Sequence, residues 1–161
     1  MATLNILGSK LQCPNWSKAV AHLKDLLGTW TMLSWKKETI ATGETVDAHG
    51  PDPVGYITYD ADGRMHAIVV RRDRPAPETL PPTDTEKLRL FDSMLAYSGT
   101  YTLDDEKVIH HVDVSWIQAL TMTDLIRFYK LANGILTITA APAIDPYSGK
   151  EVIHRIEFRK A

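Results

Sequence analysis

The sequence predicts a mainly β domain in which eight antiparallel strands close into an up-and-down barrel, with a short N-terminal helix and one inserted helix. From Gly28 onward the chain is a succession of strand-like runs separated by turn-forming residues. One turn, Asp60 to Gly63, is a strong hairpin signal between two such runs. A closed sheet has no exposed edges and leaves room for one small ligand. Since 161 residues are enough for one sizeable core, we expect a single domain over residues 1–161, with 1–16 as an N-terminal extension.

The first part of the chain predicts one helix followed by three strands. Ser17 can cap a helix whose apolar residues recur at helical spacing. These residues are Val20, Leu23, Leu26 and Leu27. The strands are Gly28 to Ala41, Val54 to Tyr59 and Met65 to Arg72. The run Glu44 to Ala48 is a further candidate strand.

The second part predicts a helix and five strands. Thr83 and Glu86 form a capping box at the start of a helix that extends to Ala96. This helix either lies across a barrel mouth as a lid or packs on the outer wall, and the sequence does not distinguish the two. The strands after it are Gly99 to Leu103, Lys107 to Trp116, Thr123 to Leu131, Gly134 to Ala140 and Glu151 to Arg159.

Composition and charge argue against several classes of protein. The net charge of -2 gives no basic face for nucleic acid. No apolar run approaches the roughly 18 residues of a membrane span, and the first residues lack the pattern of a signal peptide. Cys13 is the only cysteine, which fits a reducing compartment. We therefore expect a cytoplasmic protein without nucleic-acid or membrane partners, and a homodimer stays open.

Four motifs, taken in order, resemble the lipocalin-like domain family of bacteria and fungi, over roughly Leu26 to Lys160. They are Gly28-Thr29-Trp30, the run from Asp52 to Met65, Tyr97-Ser98-Gly99-Thr100-Tyr101, and the run from Val108 to Ser115 with Arg127 after it. The resemblance implies that Gly28 turns the chain tightly into the barrel and that Trp30 plugs its closed end. It also implies that Arg155 or Arg159 packs over Trp30.

The segment Ile117 to Met122 departs from the resemblance, because relatives often carry a Pro-Asn-Trp-x-Gly stretch there. The residues of this segment are more apolar than that stretch, which indicates an apolar rim at the barrel mouth and a hydrophobic ligand. We therefore expect a small hydrophobic or aromatic molecule as the partner.

Alternation along the strands sorts the residues that can face the cavity. The apolar residues around His110 place one face of its strand inside the barrel, with His111, Asp113 and Ser115 on the other side. The expected inward residues of this and two further strands are Val108, His110, Val112, Val114, Trp116, Leu125, Arg127, Tyr129, Leu131, His154, Ile156 and Phe158. A bulge or a register slip would exchange the two faces.

Polar groups among these apolar faces are the candidates for chemistry. A neutral imidazole at His110 suits general acid-base work, and the resemblance supports this position. Arg127 can hold a carboxylate or a developing enolate oxygen. Tyr129 and His154 are further candidates for the catalytic set. Tyr56, Tyr59 or Tyr129 can supply another donor, and His66 is a candidate ligand contact.

Each of these residues also has a structural interpretation. His110 can be a wall histidine, and Arg127 can serve only in structural bonding. If His66, His110 and His154 converged they could hold zinc, although their spacing gives no specific support. No phosphate loop, dinucleotide fingerprint or hydrolase elbow is present, so we expect no cofactor.

Three functions remain open on the sequence. The first is a cavity enzyme that isomerises, cyclises, hydrates or eliminates by acid-base chemistry. The second is a carrier or sensor of a small hydrophobic ligand. The third, weaker interpretation is an interaction module that uses the outer wall.

Overall fold

The computed structural model describes residues 23–104 and 106–161, which form a closed antiparallel barrel. The strands are β1 (Gly28–Thr39), β2 (Thr45–Asp47), β3 (Val54–Tyr59), β4 (Arg64–Val70), β5 (Met94–Leu103), β6 (Lys107–Ser115), β7 (Asp124–Ala132), β8 (Ile135–Ala140), β9 (Ala143–Ile144) and β10 (Glu151–Lys160). A helix, α1 (Asp84–Asp92), precedes β5, and a 3-10 turn (Gln118–Leu120) precedes β7. The eight-stranded barrel predicted from the sequence is confirmed.

The ring runs β1-β3-β4-β5-β6-β7-β8-β10, and β10 pairs back onto β1 to close it. β2 and β9 are short strands that pair alongside β1 and β10. The candidate strand Glu44 to Ala48 is therefore present as β2, but it is not one of the eight strands of the ring.

One end of the barrel is plugged by Trp30, which is 2% exposed. Its indole N–H donates to the Leu26 carbonyl at 2.8 Å, at the end of helical residues 23–26. Gly28 has φ +104°, a backbone conformation that residues with a Cβ rarely adopt, as the resemblance implied. Lys160, not Arg155 or Arg159, lies over the Trp30 ring, with Nζ 4.4 Å from the centroid. Ser17 and Val20 of the predicted helix, and Cys13, lie outside the described residues.

Helix α1 is shorter than predicted. It begins after Thr83, whose side chain and Glu86 form the expected capping box. It ends before Ser93, whose hydroxyl donates to the Leu90 carbonyl at 3.0 Å. Residues 94–103 then form β5, because Leu95 and Tyr97 pack inward at the strand period rather than along a helical stripe.

α1 belongs to the connection between β4 and β5 at the open end of the barrel. Phe91 of the helix stacks on Trp116, with ring centroids 5.3 Å apart, and Trp116 Nε1 donates to the Phe91 carbonyl. No residue of α1 is buried, and none lines the cavity described below. The contacts of α1 with Trp116 therefore place it against the outside of the wall.

A β-bulge in β6 changes which side chains face inward. Ser98 of β5 pairs with Val114 and Gly99 pairs with Val112, so Asp113 is the extra residue. A second bulge lies in β1 between Met32 and Ser34. Each bulge reverses the alternation beyond it.

The inward side chains form one continuous core, which the strands of the ring supply together. Its fully buried members include Leu26, Trp30, Tyr59, Met65, Val108, Leu136, Ile138 and Phe158. No helix among the described residues has the length and apolarity to cross a membrane.

Candidate functional site

The barrel interior contains a cavity with an atom-free volume of about 480 Å³, its open mouth included. Most of its lining is apolar, and its polar side chains are Tyr56 of β3, Tyr97 of β5, His110 of β6 and Arg127 of β7. The lining residues are Met32, Trp35, Tyr56, Ile57, Ala67, Ile68, Val69, Leu95, Tyr97, His110, Arg127, Ile138, Ile156 and Phe158. An apolar cavity with a few convergent polar groups is typical of a small-molecule site.

His110 lies fully buried between two tyrosines. Its Nε2 is 2.9 Å from the Tyr59 hydroxyl, and its Nδ1 is 3.0 Å from the Tyr97 hydroxyl. Burial, and then electrostatic interactions with Arg127 and His111, lower the pKa of His110 from 6.5 to about 3. The ring is therefore neutral at physiological pH, with one nitrogen donating and the other accepting.

Arg127 and Tyr97 are the polar groups that a molecule in the cavity would meet beside His110. The Arg127 guanidinium lies close enough to the Tyr97 hydroxyl to act on its ionisation, and its Nη1 donates to the Ile126 carbonyl at 3.2 Å. Burial raises the pKa of Tyr97, and Arg127 opposes part of that rise. Burial raises the pKa of Tyr59 well above its ordinary value. Both tyrosines therefore keep their protons at physiological pH.

Trp35 forms the wall of the cavity towards the open end. Its Nε1 donates to Nδ1 of His154 at 2.9 Å, and the two rings meet edge to face. His49 stacks on the other side, with ring centroids 5.5 Å apart and an interplanar angle of 20°. Burial lowers the pKa of His49 and His154. The Trp35 ring is thus held in place by two histidines that prefer the neutral form.

Lys37 and Asp145 form an ion pair near Trp35, with Nζ 2.8 Å from Oδ2. Asp145 also accepts from the Tyr147 amide and the Ser148 hydroxyl, and it is 6% exposed. The hydrogen bond from Lys37 is the main cause that lowers the pKa of Asp145 to about 2. This pair ties the connection between β9 and β10 to β1.

Four residues predicted for the site line the cavity together: His110, Arg127, Tyr56 and Phe158. Phe158 is buried among the inner residues, whereas Tyr56 is 46% exposed and borders the cavity from the wall. Val112, Leu125 and Tyr129 are buried or half-buried but lie outside the lining. Tyr129 packs on the core, and its hydroxyl donates to the Asp104 carbonyl.

His154 is half-buried and reaches the cavity only through Trp35. It is not among the residues that line the cavity.

Three predicted contacts face outward instead. Val114 and Trp116 are 58% and 41% exposed, because the bulge at Asp113 turns them away from the cavity. Ser115, expected outside, pairs with Tyr97 on the inward side. His66 is exposed on the outer face, where its Nδ1 is 2.9 Å from the Ser98 hydroxyl.

The candidate zinc site does not form, since His66 and His110 lie on opposite faces of the wall. Among the residues that the structure describes, no three His, Cys, Asp or Glu side chains are grouped to hold a metal ion.

Sequence reasoning missed Tyr97 and Trp35. Tyr97 directly follows the predicted helix, which extends to Ala96, and precedes the predicted strand that begins at Gly99, so strand alternation does not assign it a face. Trp35 follows the bulge in β1, beyond which alternation counted from Trp30 puts it on the wrong face. Alternation counted backwards from Lys37 gives the right face only once the register of β1 against β10, in which Lys37 pairs with His154, is known.

Comparison with known families gives one match. The family model described as "Lipocalin-like domain" matches residues 27–159. The match starts just before the Gly28 turn and ends in β10, so it spans the whole ring of strands.

Among solved structures, the chain is similar to a lipocalin-like protein from Bacteroides uniformis ATCC 8492. The two share 14% sequence identity with a TM-score of 0.45, over 85% of this chain and 99% of the other. No curated protein matches the chain.

Proposed function

The chain belongs to the lipocalin-like domain family, and from that premise we propose that it is an enzyme of the barrel cavity. Its substrate is a small, largely apolar molecule with an oxygen acceptor, and its chemistry is cofactor-free acid-base catalysis of the isomerase, cyclase, hydratase or lyase type. The observation that carries the proposal is the hydroxyl–guanidinium pair of Tyr97 and Arg127 in an otherwise apolar cavity, with His110 behind it.

The polar hydrogens of Tyr59, His110 and Tyr97 determine whether Tyr97 can donate a hydrogen bond to a substrate. The chain Tyr59–His110–Tyr97 holds three polar hydrogens and two internal hydrogen bonds, so one hydrogen remains at one end. At Tyr59, which is 0% exposed, a spare donor would be buried without an acceptor, at a cost of about 1–3 kcal/mol. The favoured arrangement has Tyr59 donating to Nε2, Nδ1–H donating to Tyr97, and the Tyr97 hydrogen directed at the cavity.

In this arrangement the substrate oxygen accepts from Tyr97 and from Arg127. Both donors stabilise the negative charge that develops on this oxygen when a bond at the neighbouring carbon, such as a C–H bond, is broken or formed. Tyr97 can also transfer its proton to the substrate oxygen, and the phenolate that is left, which Arg127 and the imidazole N–H stabilise, can then take the proton released from the neighbouring carbon or from an attacking water. Enolisation, cyclisation, hydration and elimination next to a carbonyl or a carboxyl group all build this charge.

His110 takes a different role from the direct acid or base that the sequence suggested. Both of its nitrogens are occupied by tyrosines, and its lowered pKa keeps it neutral. We therefore assign it as a positioning residue that acts through Tyr97. His154 is likewise a positioning residue, which acts through Trp35. Tyr56 contacts the substrate at the cavity wall.

A carrier is the second candidate. It is favoured by the fact that His110 is already satisfied on both sides without any ligand. Such a network can serve simply as a rigid wall that orients a bound molecule.

The experiment that separates the two begins with native mass spectrometry of the protein exposed to a crude metabolite extract. A retained molecule is identified and then incubated with the protein in D₂O. An enzyme incorporates deuterium or converts the molecule to an isomer, a hydrate or an elimination product, whereas a carrier returns it unchanged.

Variants test the residue assignment. Tyr97→Phe is expected to lower kcat/KM by about 10²- to 10³-fold, the usual loss of one donor to an oxyanion. His111→Asn changes an outer-face histidine, hydrogen-bonded to Thr102 and Asp124, and should leave turnover unchanged. Full turnover by Tyr97→Phe would contradict the proposed chemistry.

A further inference from the structure

Arg127 brings a positively charged guanidinium to the lining of the apolar cavity. Among residues 23–104 and 106–161, no carboxylate forms an ion pair with it. Its Nη1 donates to the neutral Ile126 carbonyl, and the Tyr97 hydroxyl, on whose ionisation it acts, is neutral as well. A half-buried guanidinium that a ligand would desolvate further needs a counter-charge.

Asp145, an acid close enough to His154 to act on its pKa, is already engaged in other contacts. Asp145 accepts from Lys37, from a backbone amide and from a hydroxyl, so its oxygens are engaged. No Asp or Glu is among the described residues that line the cavity.

The positive field of Arg127 reaches the ionisable groups around it. It lowers the pKa of His110 and of His154, and it opposes the rise in the pKa of the buried tyrosines. Neutral histidines and protonated tyrosines contribute no negative charge. The polar part of the cavity is therefore electropositive.

We infer that the natural ligand of this cavity is a small organic carboxylate, whose carboxylate pairs with Arg127 and accepts from the Tyr97 hydroxyl. The inference rests on the proposed function for the location of the site, and it names the substrate class.

The arrangement fits a carboxylate better than the other acceptors. A planar guanidinium matches the two oxygens of a carboxylate. A ligand whose only acceptor is a neutral carbonyl would leave the charge of Arg127 desolvated and without a counter-charge until the reaction builds charge on its oxygen, whereas a carboxylate supplies the counter-charge on binding. A phosphate carries more charge than the guanidinium offers, and the rest of the lining is apolar.

The apolar part of the ligand has a defined place. Met32, Leu95, Ile138, Ile156 and Phe158 supply the remaining inner wall. The hydrophobic body of the ligand would lie against this apolar wall, with its carboxylate towards Arg127.

The experiment compares cyclohexanecarboxylate with cyclohexanecarboxamide, which have the same apolar body and nearly the same shape. Binding is measured by calorimetric titration at pH 7 and at two salt concentrations. We expect the carboxylate to bind at least about tenfold more tightly than the amide, corresponding to about 1.4 kcal/mol.

Two variants assign the preference to Arg127. Arg127→Gln should abolish the preference for the carboxylate while changing amide binding little, and Arg127→Lys should keep part of it. Arg155→Gln, a change on the exposed face of β10, should preserve the wild-type ratio. If Arg127→Gln does not fold, the ratio of carboxylate to amide affinity measured with the wild-type protein still tests the inference.

Equal or weaker binding of the carboxylate, or its failure to bind saturably, would overturn the inference. An unchanged ratio in Arg127→Gln would do the same. Tight carboxylate binding with no turnover of any retained molecule would overturn the proposed enzyme and leave the carboxylate assignment standing.

Discussion

His110 links the acidity of the solvent to the stability of the fold. Its pKa is about 3 in the folded protein and near 6.5 when exposed, so the unfolded chain binds the additional proton between these values. The free energy of unfolding therefore falls as pH decreases from 6.5, by up to about 1.4 kcal/mol per pH unit for this one group. Above pH 6.5 the contribution is fully present.

We predict that His110→Gln flattens this dependence. Glutamine can hydrogen-bond the tyrosines but does not titrate, so the slope between pH 6 and 4.5 should decrease by roughly 1 kcal/mol per pH unit. Urea unfolding at several pH values measures it. The lowered pKa values of His49 and His154, and of the carboxyl groups, act in both proteins and cancel in the comparison.

His66→Gln is the matched control, since it changes a histidine on the outer face of the barrel. Its slope should follow that of the wild-type protein. A slope in His110→Gln equal to that of the wild type would show that His110 is not the group responsible.

At the scale of single elements, the bulge in β6 decides which residues form the site. Alternation from Val108 to Val112 places His110 correctly, because the strand is regular over that stretch. Beyond Asp113 the same rule fails, and Val114 and Trp116 face outward. A bulge leaves little trace in composition, because Asp113 is an ordinary exposed residue that pairs with Arg64.

Gly99 lies opposite this bulge and cannot carry a side chain. A Cβ built there would be 2.0 Å from the carbonyl oxygen of His111, so the backbone would have to move. We predict that Gly99→Ala destabilises the protein by about 2–3 kcal/mol, as overpacking does. Thermal unfolding should show a melting temperature lower by roughly 5–10 °C.

Thr100→Ala provides the comparison, because Thr100 is an exposed neighbour on the same strand. Its melting temperature should stay within about 2 °C of the wild type. If the two variants melt together, the close approach at Gly99 is not a constraint on the fold.

At the scale of the whole molecule, the seam between β1 and β10 makes the barrel continuous. The pairing extends from Trp30 with Lys160 to Thr39 with Val152. Strands β2 and β9 pair on one side only and add nothing to the ring.

We predict that hydrogen exchange separates these classes of strand. Amides of β1 and β10 along the seam should exchange as slowly as those of β4 and β5, because a closed barrel has no frayed edge. Amides of β2 and β9 should exchange at least about 100-fold faster. Fast exchange along the seam would mean that the barrel opens there.

The sequence predicted the architecture well because turns and strand periods are local signals. The resemblance to the family implied that the sheet closes into a barrel. It predicted His110, Arg127 and Phe158 as cavity residues because they lie on regular stretches of strand. It did not predict Tyr97, since the helix signal from Thr83 continues past the residue where the chain leaves the helix. The hydrogen-bond partner of each polar group in the cavity comes from a strand that is distant in the sequence, as Tyr59 is from His110. Local sequence patterns therefore do not predict these partners.

Trp35 gives the cavity its own optical signal. The chain has tryptophans at positions 16, 30, 35 and 116, and of the three in the described residues Trp30 is sealed in the plug and Trp116 stacks outside. Trp35 alone of these three lines the cavity, with one histidine against its face and another accepting from its indole N–H. Its emission therefore responds to whatever occupies the barrel and to the charge of its two neighbours, so occupancy can be followed in real time without attaching a dye.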